Sequence, residues 1–444
     1  MAQEVIRDLG DGLIIRKATI EDVDNLTKFN SIVHSEKGEE EPLEFLAAWT
    51  RDLMTKPHPT FNVSDFLIVL DTTTDQIVSS SNLISQTWSY DGVEFGVGRP
   101  ELVGTHPEYR RRGLVRAQFE IMHSWSEARG HRMQTITGIP WFYRQFDYEM
   151  AIELDGGRNS YKVHVPELKE DEKEVYLIRD AEESDLPFIA ELYNIGSKRS
   201  LISCSRDEAL WKYELCGRDP KNVCHMKLRM ITTLDGSPVG FFVHNSTMWN
   251  GLITARALEI KPGISWLAVA PSIMRDLANS AAELAKKDEK GKFDAIAWRL
   301  GSQHPLYEVI PQRIPRLIPP YAWYVRVPEI ASFLELIRPV LEKRIADSLL
   351  TGHSGELKLN FFRDGLKLVF ENGKMVGIEP WHAERFEEGD IVFPELTFLQ
   401  VLFGFKSTTE LTQLLPDCYA RNETGEVLGE ILFPRKPSAI WPVA

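Results

Sequence analysis

The stretch that decides the fold covers residues 102–115 and reads LVGTHPEYRRRGLV. The residues before it, 93–105, are rich in β-branched and aromatic side chains and predict a strand. After it, apolar residues recur at spacings of three and four through residues 114–128, which predicts an amphipathic helix. Gly130 follows where a helix C-terminal glycine is expected, and residues 133–137 read as the next strand. The segment is therefore a strand, a tight glycine-containing loop and the start of a helix.

Such a loop is a physical site for an anion. The backbone N–H groups from Arg111 to Val115 have no partner inside the helix, and the helix dipole adds partial positive charge. Gly113 lets a phosphate approach the backbone closely, and the arginines add full charge. A pyrophosphate fits this arrangement. Two alternatives stay open for the arginine run, a solvated surface patch and a contact to nucleic-acid phosphate, although no second basic cluster supports the latter.

The pattern Arg110-x-x-Gly113-x-Val115 resembles the [RQ]-x-x-G-x-[GA] signature of the GNAT acetyltransferases, with Val115 in place of Gly or Ala. The resemblance implies acetyl-CoA as co-substrate. It also implies that two central strands, at residues 101–105 and 133–137, splay apart around the pantetheine arm. Main-chain contacts to that arm are expected from Val103 and Thr105. The residues expected around the pyrophosphate are Arg110, Arg111, Arg112, Gly113, Leu114 and Val115.

A second match lies at residues 141–148, WFYRQFDY, which resembles the aromatic segment after the fifth strand of GNAT enzymes. In the enhanced-intracellular-survival group the first tyrosine of this segment is the general acid for the leaving thiol, and that role maps onto Tyr143. A tyrosine pKa of about 10 and a thiol pKa of about 8.5 would make the proton transfer nearly matched. The alternative is that Tyr143, Phe146 and Tyr148 only pack over the strand.

An internal repeat organises the first 320 or so residues. The sequence Ile15-Arg16-Lys17-Ala18 resembles the stretch IRDA at residues 178–181. An aspartate and then an apolar residue follow each of the two stretches, at the same spacings. The pattern predicts two copies of one fold, at residues 1–157 and 172–327. Glycines and charged residues at 156–159 and 167–174 read as a linker.

The last third, residues 328–444, predicts an α+β domain. Alternating residues at 356–361, then strands at 366–371 and 374–378, are separated by Asp364-Gly365 and Asn372-Gly373, which are strong hairpin signals. Helices are expected at 328–347, 396–403 and 408–415. The predicted fold class is therefore α+β (mixed α/β): two tandem GNAT folds with splayed central sheets, followed by this domain.

This order resembles that of the enhanced-intracellular-survival (Eis-like) group. The resemblance implies an active first domain, a degenerate second domain, a sterol-carrier-protein-like third domain, and homo-oligomers, commonly hexamers. Residues 260–276 lack the arginines and correctly placed glycine, so the second domain reads as structural.

The chain end, residues 433–444, has prolines and apolar anchors and is expected to dock. The resemblance places it in the active site, where the carboxylate of Ala444 would help to deprotonate the amine. Glu101 is the competing base, and Glu94 is a weaker candidate.

Composition narrows the class of protein. The net charge is −14, from 51 basic and 65 acidic side chains, which favours a cationic substrate and ranks nucleic acid low. No stretch of 18 apolar residues predicts a membrane span, and no signal peptide is visible at residues 1–12. Four cysteines match no zinc or redox spacing, so a cytoplasmic protein without metal is expected.

The leading functional hypothesis is an N-acetyltransferase that moves acetyl from acetyl-CoA to a primary amine by direct attack in a ternary complex. The acceptor could be an aminoglycoside, a polyamine or a lysine side chain, and no residue chooses among them. No G-x-S-x-G nucleophile motif suggests a covalent intermediate. Two alternatives remain: a lipid-binding protein that uses the third domain, and an acetyl-CoA sensor without turnover.

Overall fold

A computed structural model describes residues 4–287, 291–385 and 388–444 of the chain. Three β-sheets organise it. The elements of residues 4–154 are β1 (Val5–Gly10), β2 (Leu13–Lys17), α1 (Val23–Val33), α2 (Glu44–Thr55), β3 (Phe66–Asp71), β4 (Gln76–Tyr90), β5 (Val93–Thr105), α3 (Leu114–Ala128), β6 (Met133–Ile136) and β7 (Glu149–Leu154).

The elements of residues 157–326 are β8 (Gly157–Tyr161), β9 (Leu177–Asp180), α4 (Leu186–Ser197), β10 (Ile202–Cys204), α5 (Glu208–Cys216), β11 (Met226–Thr232), β12 (Pro238–Asn245), β13 (Leu252–Ile260), α6 (Trp266–Ala285), β14 (Ala295–Trp298), α7 (Pro305–Val309), β15 (Arg316–Ile318) and β16 (Tyr321–Arg326). Those of residues 330–432 are α8 (Ile330–Leu336), α9 (Arg338–Ala346), β17 (Gly355–Asn360), β18 (Gly365–Glu371), β19 (Lys374–Pro380), β20 (Ile391–Val392), α10 (Phe398–Leu402), α11 (Thr408–Leu414), β21 (Tyr419–Ala420) and α12 (Glu423–Leu432).

The first two sheets exchange a strand. The first sheet has the order β1-β2-β3-β4-β5-β6-β16-β7 with β10 beside β4, and the second has the order β15-β8-β14-β13-β12-β11-β9. Strand β16 therefore completes the first sheet, and β8 completes the second. The prediction of a linker at 156–159 was wrong for residues 157–159, which lie in β8, because their backbone groups pair with β14 and β15. The domain bounds 1–157, 172–327 and 328–444 stay predictions.

The two copies of the repeat share a specific contact. Arg16 donates two hydrogen bonds to Asp22, at 2.8 and 2.7 Å, and Arg179 does the same to Asp185, at 2.6 and 2.8 Å. The aspartate in each copy also accepts from a backbone N–H three residues earlier. The conserved spacing therefore places one arginine–carboxylate fork between a strand and the helix that follows.

The central strands of the first sheet separate as expected. Strands β5 and β6 pair in parallel only at Val97–Met133 and Gly98–Gln134. Beyond that point β5 carries a bulge, where Leu102 has a φ of +48° and the register with β4 shifts. A bulge bends its strand and raises the local twist, so the far half of β5 turns away from β6. The gap opens on the side of residues 101–105.

The third sheet confirms the Asn372-Gly373 turn, whose two residues have φ values of +49° and +79° between β18 and β19. The turn expected at Asp364-Gly365 lies slightly earlier, because Gly365 is already paired with Asn360 in the ladder and Phe362 has the positive φ, +68°. The helix expected at 328–347 is two helices, α8 and α9, because Pro339 at the start of α9 cannot continue the first. The apolar face of the sheet packs in one continuous core with Phe333, Leu341 and Phe398. Within the described residues, no helix is long and apolar enough to cross a membrane.

Three histidines are buried, His131, His244 and His304, and two are half-buried, His58 and His123. Desolvation is the main reason that the pKa of each lies well below its ordinary value. The pKa values are about 4 for His58, about 3 for His123, about 4 for His131, about 4 for His244 and about 3 for His304.

Candidate active site

The loop before α3 has the geometry of an anion site. Gly113 has a φ of +76°, in the left-handed region, and caps the helix. A Cβ added to Gly113 would meet no atom within 4 Å, so the space above it is open. No described residue accepts a hydrogen bond from the backbone N–H of Gly113, Leu114 or Val115. The first-turn amides therefore point at open space, as phosphate binding requires.

The three arginines of the loop have different surroundings. Arg110 donates through Nε to the carbonyl of Thr105 at 3.3 Å, and the guanidinium of Arg112 lies 5.2 Å from the ring centre of Tyr109. Tyr109 in turn donates to Asp71 at 2.6 Å, which ties the loop to the end of β3. Arg111 has a φ of +65° and is exposed, with no acceptor among the described residues. Arg111 is thus the cation of the run left most available to an anion.

The expected pantetheine residues lie at the edge of the opening. Val103 packs toward α3 and is half-buried, and the hydroxyl of Thr105 lies 2.8 Å from that of Ser79. Leu114 and Val115 place their side chains against the same apolar cluster as Val103. Only their backbone amides are therefore free for a ligand.

Tyr143 stands beside this opening. It lies in a short 3₁₀ turn, Phe142–Phe146, and its ring stacks 5.9 Å from Phe119 and meets Tyr324 edge-on at 5.5 Å. The residue is buried, yet no described residue accepts from its hydroxyl. Burial raises the pKa of Tyr143 far above its ordinary value, and the charge of Glu101 raises it further. The prediction that the pKa of Tyr143 nearly matches that of a thiol was therefore wrong, because it assumed a tyrosine exposed to solvent.

Glu101 lies in β5 with 14% of its side chain exposed and forms an ion pair with Arg99. Burial raises the pKa of Glu101 above its ordinary value, and the Arg99 guanidinium opposes that rise. Arg99 also donates to the carbonyl of Val443 at 2.9 Å, so it joins the carboxylate to the chain end. Glu94, by contrast, is exposed near the far end of the strand.

The chain end is docked, as predicted. Val443 and Ala444 are buried, and Gln86 holds the carbonyl of Val443 at 2.8 Å. Arg218 donates to the oxygen of Ala444 through Nε at 3.1 Å and through Nη2 at 2.6 Å. These donors stabilise a negative charge on Ala444 and so weaken it as a proton acceptor.

Arg218 belongs to a buried charge network. It shares the carboxylate of Glu214 with Arg206, and all three side chains are at most 2% exposed. Two guanidinium groups face a single carboxylate there. A negative charge at Ala444 would balance the second, which gives the chain end an electrostatic reason to dock.

We call residues 4–154 the first unit, residues 157–326 the second unit and residues 330–444 the third unit. Several polar groups in this part of the first unit lack partners. Neither side-chain atom of Asn82 is hydrogen-bonded, although the residue is fully buried and lies directly opposite Glu101. The indole N–H of Trp49 and Nε2 of His34 are also buried and unpaired. Buried polar groups normally have a partner, so these three mark a place for water or a polar ligand. Sequence reasoning missed them, although the run SSSN at 79–82 inside an apolar strand was a usable signal.

The corresponding opening in the second unit is filled. Strands β13 and β14 pair only as far as Ala255–Trp298 and then separate. His304 enters this gap, and its Nε2 lies 3.1 Å from the carbonyl of Leu258 while Trp266 packs edge-on against its ring at 5.2 Å. The strand edge that would hold a pantetheine arm is thus already occupied by a side chain.

Comparisons with known proteins agree with this geometry. Residues 14–151 match the model of the acetyltransferase (GNAT) domain. The first unit carries a GNAT acetyltransferase domain. Comparison with curated protein sequences gives no match.

Three solved structures extend the likeness over nearly the whole chain. A GCN5-related N-acetyltransferase from Anabaena variabilis is 15% identical, covers 96% of this chain and 99% of its own, and has a TM-score of 0.64. One from Kribbella flavida is also 15% identical, with coverages of 96% and 97% and a TM-score of 0.62. Eis1 from Mycobacterium abscessus is 13% identical, with coverages of 96% and 98% and a TM-score of 0.58. These likenesses concern the fold, and the predicted α+β (mixed α/β) class is confirmed.

Proposed function

We propose that the chain transfers an acetyl group from acetyl-CoA to a primary amine. The observation that carries the proposal is the opening between β5 and β6 beyond Gly98, with the unpaired amides of α3 at its end. An extended thioester arm requires a strand edge to pair with, and its pyrophosphate requires a cluster of N–H donors. The first unit offers both within one short segment.

The cofactor would lie along the free edge of β5 at Val103 and Thr105. Its pyrophosphate would take the amides of Gly113 to Val115, with Arg110, Arg111 and Arg112 supplying charge around it. Leu114 and Val115 would act through their backbone alone, because their side chains are packed.

The reaction is an acyl transfer within the ternary complex. The amine nitrogen attacks the thioester carbonyl, the carbon–sulfur bond breaks, and the amine loses one proton. The departing thiolate takes its proton from solvent water. Glu101 would take the amine proton, since burial makes its carboxyl a stronger base than a solvated one. Tyr143 would face the sulfur as a hydrogen-bond donor, because its hydroxyl stays protonated and is otherwise unpartnered.

Ala444 would act as a fixed negative charge that orients the ammonium. Its oxygen is held by Arg218, so it contributes field and position more than proton uptake. Asn82 and Trp49 would contact the acceptor, since their unpaired groups lie in the same part of the unit. The acceptor class remains an aminoglycoside, a polyamine or a lysine side chain.

The type of the third unit, the assembly and the partners are proposed from the resemblance to the Eis-like group. The third unit would be sterol-carrier-protein-like, and the protein would form cytoplasmic homo-oligomers of the hexameric, Eis-like kind, without nucleic-acid or membrane partners and without a metal. Sedimentation at several concentrations tests the assembly, since a clean monomer would remove the hexamer from the proposal.

The activity test is thiol release from acetyl-CoA in the presence of a panel of amines. We expect release that depends on at least one primary amine and that disappears in Gly113→Asp. Release that is identical with and without every amine would contradict transfer to an amine. Binding of acetyl-CoA without any release would instead identify the chain as a sensor.

A further inference from the structure

A small cavity lies at the junction of the second unit with the chain end. It encloses about 80 Å³ beside the point where β13 and β14 separate. Its walls come from β7, from the end of α4, from β13, from the segment that follows β14 and from Ser438–Trp441 of the tail. The volume is enough for several water molecules, and so for a small organic anion.

Two arginines stand side by side in this wall. Arg256 lies in β13 and Arg299 directly follows β14, and the two are neighbours because Arg299 donates its backbone N–H to the carbonyl of Ala255 at 2.9 Å. Like charges at adjacent strand positions repel each other. Arg256 pairs with Asp155, which leaves its Nη2 free among the described residues. Asp155 thus offsets the charge of Arg256 directly, whereas Arg299 has no ion pair of its own in the described part of the chain.

Among the described residues no carboxylate forms an ion pair with Arg299, and Asp155 acts on it only through its charge. Its Nη1 donates to the side-chain oxygen of Asn159 at 2.9 Å and, at 3.4 Å, to the carbonyls of Arg158 and Trp298. Its Nε and Nη2 find no acceptor within the described residues. Arg299 therefore has one nitrogen that donates to neutral groups and two neighbouring nitrogens whose N–H groups are free in this part of the described structure. Two such N–H groups can bind both oxygens of one carboxylate.

The acidic side chains of the cavity are already committed. Glu259 forms an ion pair with Arg199, and Glu153 accepts from Ser302 at 2.6 Å and lies 3.4 Å from Arg435. Asp155 is paired with Arg256, so none of the three acidic side chains of the cavity accepts a hydrogen bond from Arg299. The lining carries no net charge, but the N–H groups of Arg256 and Arg299 that are free within the described ranges both belong to its wall.

We propose that this cavity binds a small carboxylate, whose two oxygens bridge Arg256 and Arg299. The site is separate from the acetyl-CoA opening, which lies in the other sheet. A carboxylate there would also contact the tail a few residues before Ala444, because Ser438–Trp441 forms one wall. Occupancy would therefore stabilise the docked tail.

The test is equilibrium dialysis of the full chain against labelled acetate, with chloride adjusted to hold the ionic strength constant. We expect one saturable site per chain. Its affinity falls by about tenfold in Arg299→Gln and in Arg256→Gln, because a charged hydrogen-bond pair is lost. Arg313→Gln is the matched control, since Arg313 is an exposed arginine of the same unit that donates only to the carbonyl of His164.

Two further measurements show whether the acetate site is separate and whether each variant folds. Gly113→Asp should retain the acetate site, which separates it from the acetyl-CoA opening. Thermal unfolding of each variant identifies one that fails to fold, and the other arginine variant then decides. The absence of saturable binding, or equal affinity in the wild type and in both folded arginine variants, overturns the proposal.

Discussion

Replacing Glu101 by glutamine separates the proton acceptor from every other part of the candidate site. Glutamine keeps the shape of the side chain but cannot take a proton. The expected loss in kcat is about 10² to 10⁴-fold, the usual contribution of a general base. Each tenfold step corresponds to about 1.4 kcal/mol in the barrier. Acetyl-CoA affinity should be unchanged, because residues 103–115 keep their backbone contacts.

The structure also sets the expected cost in stability. Arg99 loses its ionic partner but keeps the carbonyl of Val443, at 2.9 Å. Leaving a buried charge partly satisfied costs about 1–3 kcal/mol. The variant should therefore fold, with a Tm lower by a few degrees. Glu94→Gln is the matched control on the same strand, because Glu94 is exposed, and it should leave kcat and Tm unchanged.

The assay is kcat from thiol release at saturating amine, measured from pH 4 upward where the protein is folded. In the wild type, kcat should rise with pH as Glu101 ionises. The midpoint of this rise should lie at a higher pH than the ordinary pKa of a glutamate, because burial raises the pKa of Glu101. Glu101→Gln should lose that rise. A Gln variant with full kcat and an unchanged pH profile would refute the assignment.

A tail extension tests the competing base. Adding two glycines after Ala444 moves the negative charge away while Arg218 keeps a carbonyl acceptor. Because the Arg206–Glu214–Arg218 network would lose its balancing charge, the cost should be about 3 kcal/mol or more. We expect a lower Tm and a smaller loss in kcat than with Glu101→Gln. An extended chain with unchanged Tm and acetyl-CoA affinity but no turnover would make Ala444 the base.

Three further outcomes follow from the structure. Gly113→Asp should weaken acetyl-CoA by at least about 2 kcal/mol in calorimetry, from strain at positive φ and a charge beside phosphate. Gly92→Asp is its control, since Gly92 also has a positive φ and open space. Acetyl-CoA should bind at one per chain, because His304 fills the second opening, and two per chain would contradict that reading. Stability should fall as pH drops below about 6.5, because the five histidines whose pKa lies well below its ordinary value protonate only on unfolding, and together they contribute about 7 kcal/mol of loss by pH 5.5. Equal denaturant midpoints at pH 7.5 and 5.5 would exclude this.

The sequence was most informative where one local rule dominates. Residues 102–115 predicted a strand, a tight glycine-containing loop and a helix start, and Val93–Thr105, Gly113 and Leu114–Ala128 are those elements. The repeat was visible because Arg16 and Asp22 form one contact that the second copy reproduces. The dipeptide Asn372-Gly373 specifies its own turn geometry. In each case the determining interactions lie within a few residues of each other.

Long-range pairing could not be predicted in the same way. Nothing in Gly157–Tyr161 distinguishes a linker from a short edge strand, because its partners β14 and β15 lie more than 130 residues away. The run SSSN at 79–82 marks polar residues inside an apolar strand, but it does not show that Asn82 is left unpaired, and Trp49 gives no such signal. A buried polar side chain becomes informative only when its neighbours are known to leave it unpaired. The raised pKa of Tyr143 likewise follows from burial, which is a property of the assembled fold.

The strand exchange explains how a second unit with a filled opening still serves the first. Strand β16 brings Tyr324 against Tyr143, and the hydroxyl of Tyr324 accepts from the backbone N–H of Trp141, which precedes the tyrosine turn. Arg218, from the same half of the chain, holds Ala444. Two of the three groups proposed for the reaction, Tyr143 and Ala444, are therefore positioned by residues beyond 160. A first unit expressed alone would keep the loop at Gly113 but lose the support of Tyr143 and lose Ala444 itself, so binding of acetyl-CoA would survive longer than turnover.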